Sequence, residues 1–63
     1  MHFLKVTDYD TDNIILLNLN FLVSIREANI NGQRYCVVKM EYSKSLLKIR
    51  EDIQEVIKFL ELS

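Results

Sequence analysis

Sixty-three residues make one small domain, 1–63, which buries only ~60% of the surface of its unfolded chain and is therefore marginally stable without help from another subunit. Eight basic residues against nine acidic ones exclude a protein that works mainly by a strong positive field on phosphates. A single cysteine excludes an internal disulfide, no apolar run approaches the ~20 residues of a membrane span, and a lone thiol without a signal-peptide pattern points to a reducing, cytoplasmic setting.

Residues 2–7 (HFLKVT) alternate in polarity and predict a first strand, and residues 13–18 (NIILLN) a second. Residues 8–12 are a turn, because Asp and Thr side chains bond nearby backbone there. Pairing Val6 with Ile15 and Leu4 with Leu17 gathers apolar side chains on one face; a register shifted by one does nearly as well, and the sequence leaves both open. Residues 18–20 form a corner into a third strand.

Asn31-Gly32 predicts a two-residue hairpin, since a type I′ turn needs positive φ at both central positions. The turn sets the register. Ile30 faces Gln33, Ala28 faces Tyr35, Ile25 faces Val38, Val23 faces Met40 and Phe21 faces Tyr42. Side chains alternate across a strand, so Phe21, Val23, Ile25, Cys36, Val38, Met40 and Tyr42 share one apolar face, expected to be core. The other face is mixed: Leu22, Ile30, Tyr35 and Val37 lie among Ser24, Arg26, Lys39 and Glu41. Such a cluster of apolar residues predicts a partner surface.

Residues 43–45 turn the chain into a fifth strand at residues 46–50 (LLKIR). Setting Leu47 and Ile49 beside Met40 and Val38 extends the core face, and it also sets Lys39 opposite Lys48, an unfavourable pair. Asp52, with Glu55 three residues on, is a capping box that opens a helix. Ile53, Val56, Ile57 and Leu60 recur as a single apolar stripe, expected to cover the sheet. Phe59 and Leu62 fall beside that stripe and are candidates for a contact between subunits. The expected fold is α+β, mainly β: a five-stranded antiparallel meander, as a small open barrel or curved sheet, with one C-terminal helix.

Little in the chain can carry chemistry. Asp8-x-Asp10-x-Asp12 resembles the start of a calcium loop, yet Asn13 and Leu19 stand where such a loop needs glycine and a bidentate glutamate. No metal or cofactor is expected. His2 is the single histidine and Cys36 falls on the core face, so neither acid–base nor nucleophilic catalysis has its parts. The reading is a noncatalytic interaction or accessory module that self-associates through sheet edges and the mixed hairpin face, or docks there on another protein, with Arg26, Arg34, Tyr35, Val37 and Lys39 as binding residues. The alternative is a small nucleic-acid-binding regulator, in which Tyr35 stacks on a base amid Arg26, Arg34 and Lys39.

Leu17-Asn18, Phe21-Leu22 and Ile25 follow an L-N-x-x-L-I-x-x-I pattern, and Ile49, Glu51, Asp52, Glu55 and Val56 follow V-x-E-S-x-E-E-V with Asp52 in place of the serine. In these positions the chain resembles the FlbD-like small proteins of flagellar gene clusters and related short proteins of bacteria and their mobile elements. It departs from them in placing Asn-Gly one hairpin earlier. The resemblance implies a fold and a noncatalytic accessory role; flagellar function does not follow from it.

Overall fold

The computed structural model describes the backbone of residues 3–62 and the side chains of residues 3–61. His2, the expected strand start at residue 2 and the side chain of Leu62 lie outside the described residues. Two antiparallel units form. Strands β1 (Phe3–Thr7) and β2 (Ile14–Asn18) make a two-stranded sheet. Strands β3 (Leu22–Ile30), β4 (Gln33–Met40) and β5 (Leu47–Ile49) make a three-stranded one, and helix α1 (Ile53–Leu62) closes the chain.

The first hairpin takes the register that puts Val6 beside Ile15 and Leu4 beside Leu17. Leu4, Val6 and Leu17 are buried and Ile15 packs against them. The alternative shifted by one would have turned Ile15 and Leu17 outward and brought Ile14 and Leu16 in against Leu4 and Val6. The Asn31-Gly32 turn forms with φ of 51° and 83°, as type I′ geometry requires. The Asn29 side chain accepts a bond from the Gly32 N–H at 3.0 Å, which fixes the turn further. From Ile30–Gln33 back to Ile25–Val38 the pairing is the expected one.

Beyond Ser24 the expected pairing fails. Ser24 pairs with Lys39 but Leu22 pairs with Met40, so Val23 is an extra residue in β3, a β-bulge. The bulge turns Leu22 toward the core and Val23 outward. Val23 therefore does not face Met40. Phe21 leaves the strand for a 3-10 turn over Leu19–Phe21, so it does not pair with Tyr42. Phe21, Val23 and Tyr42 are exposed rather than core, although the Phe21 and Tyr42 rings still meet edge-on at 5.4 Å.

β5 also pairs two residues away from expectation. Leu47 lies beside Val38, Lys48 beside Val37 and Ile49 beside Cys36. A shift of two keeps every side chain on its intended face and parts Lys48 from Lys39. Relief of that like-charge pair is the physical reason for the longer connection.

The sheets do not close into a barrel, and the meander is split between them. A short seam joins them: Asp8 bridges Ile49, the Tyr9 N–H donates to the Lys48 carbonyl at 3.0 Å, and the Arg50 N–H donates to the Thr7 carbonyl at 2.9 Å. Glu51 clasps the seam, accepting from the Thr7 N–H at 2.8 Å and the Thr7 hydroxyl at 2.9 Å. The spatial order is thus β2-β1-β5-β4-β3, curved around Leu4, Val6, Leu17, Cys36, Val38, Met40, Ile49 and Val56. The helix is capped by Asp52, whose carboxylate accepts from the Glu55 N–H at 2.9 Å. Only Ile53 and Val56 of its stripe dock; Ile57 and Leu60 remain exposed.

Candidate interaction surfaces

The mixed hairpin face is not the open surface the sequence predicts. Arg26, Tyr35, Val37 and Lys39 do lie on one face, but Arg34 pairs with Asn29 on the opposite face, near the hairpin tip. Tyr35 is 8% exposed, because the turn of residues 8–12 folds over it. The Tyr9 ring lies 5.1 Å from the Tyr35 ring, and the Tyr9 hydroxyl donates to Gln33 Oε1 at 3.2 Å. Arg50 lies over the other ring, its Cζ 5.4 Å from the Tyr9 centroid, and pairs with Asp12 at 2.6 Å. The aromatic that would stack on a base is therefore covered by another, and the expected set of Arg26, Arg34, Tyr35 and Lys39 is not assembled on one accessible platform. Arg26 and Val37 border a shallow depression of about 210 Å³ with Glu27, Ala28 and Leu46, smaller than the several hundred Å³ typical of ligand pockets.

The acidic turn is occupied by its own structure. Asp8 accepts from the Asp10 N–H at 2.8 Å and the Thr11 N–H at 3.1 Å, and Asp12, held at φ 64°, pairs with Arg50. Among the described residues no three His, Cys, Asp or Glu side chains gather as a metal site. Cys36 is fully buried, and burial, followed by the nearby Glu27, Asp52, Glu51 and Glu55 carboxylates, raises its thiol above the ordinary value of 9.0. It is not placed to act as a nucleophile.

Exposed apolar side chains occur at Phe21, Val23, Tyr42 and Leu46 and on the helix at Ile57, Phe59 and Leu60; those that stand beside a strand edge without charge or bulge lie on the first hairpin. Phe3, Lys5 and Thr7 share the outer face of β1–β2 with Asn18, Leu16 and Ile14. Phe3 is 51% exposed, Ile14 63% and Leu16 64%. This arises because residues 14–17 are apolar without a break, so whichever pair faces inward, the other pair faces water. That unbroken run is the signal for this face in the sequence.

Beside this face runs an open edge. The Asp8 N–H donates to the Asn13 carbonyl at 2.8 Å, making Asp8–Asn13 a hydrogen-bonding pair. Bonded and non-bonded pairs alternate along an antiparallel ladder. Ile15 and Leu17 consequently spend their backbone groups on β1, while Ile14 and Leu16 point theirs away from the sheet. The other free edge, on β3, differs: it carries the Val23 bulge and the exposed charges of Arg26 and Glu27, devices that discourage edge pairing. The β2 edge carries no charge, no proline and no bulge.

Comparison of the chain with protein-family models, with curated proteins and with solved structures finds no match to any of them.

Proposed function

We propose that this chain is a noncatalytic interaction module that works by self-association, in an accessory or regulatory role. The observation that carries the reading is the exposed Phe3, Ile14 and Leu16 face standing beside the undefended β2 edge. Clustered apolar side chains and unpaired strand backbone are both unfavourable in water and both satisfied by another strand. The burial of Cys36, the chain's single thiol, supports a role without nucleophilic catalysis. A lone buried thiol fits a reducing, cytoplasmic setting.

Light scattering across a concentration series tests the reading. The expected result is a mass that rises above 7.5 kDa with concentration. A mass of one chain at every concentration refutes it.

A further inference from the structure

We propose that the partner is a second copy of this chain, joined by antiparallel pairing of β2 with β2 across a twofold axis through Leu16. The proposal rests on the self-association reading and specifies its geometry. The four strands β1-β2-β2-β1 would then run as one continuous sheet.

Four observations lead to this arrangement. The outward backbone groups of β2 belong to Ile14 and Leu16, with Asn18 next in the same alternation. A twofold through Leu16 makes Leu16 exchange both backbone bonds with its own copy and sets Ile14 against Asn18. Ile14 and Leu16 present both backbone groups outward and Asn18 its N–H, its carbonyl opening the 3-10 turn of Leu19–Phe21, and no other centre within the strand uses all three residues.

The charges select the direction. The turn of residues 8–12 brings Asp8, Asp10 and Asp12 to the N-terminal end of β2, while the other end carries Asn18, Leu19 and Asn20. Parallel pairing would set two acidic turns side by side. Antiparallel pairing sets each acidic turn beside the uncharged amide end of the other copy.

The side chains are self-complementary. Leu16 meets Leu16 on the outer face, Ile15 meets Leu17 on the inner face, and no charged residue of β2 meets its like. Phe3, which stands opposite Asn18, and Ile14 of the second copy flank that asparagine from either side. Finally, the competing edge is protected: a β3–β3 pairing would meet the Val23 bulge and bring Arg26 or Glu27 close to its own copy.

Size sets the strength. A standard interface removes ~800 Å² per partner, about a sixth of the 4785 Å² that this chain exposes. One five-residue edge with its flanking side chains covers less than that, so the dimer dissociates on dilution.

Cysteine crosslinking with the whole chain tests the register. Paired residues that exchange both bonds lie ~5.5 Å apart at Cα, within the 4.4–6.8 Å that a disulfide spans. Leu16→Cys should therefore give a covalent dimer under mild oxidation, whereas Arg26→Cys on β3 should not. Buried Cys36 should not compete. Leu16→Lys should weaken association roughly tenfold or more by setting two cations opposite each other, with unchanged circular dichroism because the position is exposed. A wild type that associates while Leu16→Cys fails to crosslink, or while Leu16→Lys keeps its mass, overturns this geometry and leaves the interaction module standing. A wild type of single-chain mass throughout overturns both.

Discussion

Glu51→Ala is the most informative perturbation of the fold, because this side chain clasps the seam between the two sheets beside its backbone bonds. Its carboxylate accepts two bonds from Thr7, at 2.8 and 2.9 Å, across 44 positions of sequence. A bond to a charged partner contributes ~1.5–3 kcal/mol net when buried. Thr7 is only half-buried, so water recovers part of that in the variant, and we expect a loss of about 2 kcal/mol in total. At ~0.05–0.15 kcal/mol per residue, 63 residues hold about 3–9 kcal/mol, so the loss is a large share. It corresponds to a fall in Tm of roughly 8–16 °C for a domain of this size. Thermal and urea unfolding should both be followed, with an unchanged m-value showing that the fold is the same. Glu51→Gln, which keeps one acceptor oxygen but no charge, should fall between. A loss below about 0.5 kcal/mol for Glu51→Ala, the size expected of an exposed ion pair, would show that the clasp does not hold the seam.

Three further results are expected. Gly32→Ala should cost about 1–2 kcal/mol, read as a lower urea midpoint, because φ is +83° while no atom lies within 4 Å of the added carbon; a neutral result would mean that the turn is not left-handed. Val56→Ala, at the one nearly fully buried position among the helix's described side chains, should cost about 2 kcal/mol from lost burial and the cavity left behind, and an effect below half of that would place the helix off the sheet. The Cys36 thiol should react with a disulfide reagent only as fast as the chain unfolds. Its pKa is raised in the folded state, so its contribution to stability is complete below the unfolded value of about 9 and is lost as pH rises through the folded value; in Cys36→Ala that part of the alkaline loss should vanish.

What could be read from the sequence follows the reach of local chemistry. Asn31-Gly32 and the Asp52 cap rest on contacts within one turn, and each stands in the structure; the first hairpin's register, open between two pairings in the sequence, is settled by the core that Leu4, Val6 and Leu17 share with Ile49 and Val56. The Val23 bulge escaped because an unbroken register from the Asn-Gly turn keeps Val23 apolar-side-in just as plausibly as Leu22; only the corner at Leu19–Phe21, where the Asn18 side chain accepts from the Asn20 N–H at 3.0 Å, decides between them. The covering of Tyr35 by Tyr9 escaped for a different reason. It depends on where the seam brings residues 8–12, and that is set by Glu51, Arg50 and Ile49 from the far end of the chain. Tyr35 is thus covered by a long-range contact, whereas the exposure of Leu16 follows locally from the unbroken apolar run of residues 14–17.

The same geometry explains why this curved sheet stays open. Closure would require β2 to pair with β3, yet the two are successive and joined only by the 3-10 turn of Leu19–Phe21. That turn spends one bond within itself, the Leu22 N–H donating to the Leu19 carbonyl, and one across the sheet, the Phe21 carbonyl accepting from the Glu41 N–H at 2.7 Å. The corner is anchored to β4 rather than swung toward β2, and the bulge at Val23 bends β3 at the same point. A chain that is 49% hydrophobic over 63 residues cannot internalise all of that surface in so small a core. Part of that surplus, Phe3, Ile14 and Leu16, lies on the first hairpin next to the edge that has no protection. The bulge therefore does two things at once: it guards the β3 edge and leaves β2 as the place where another strand can add.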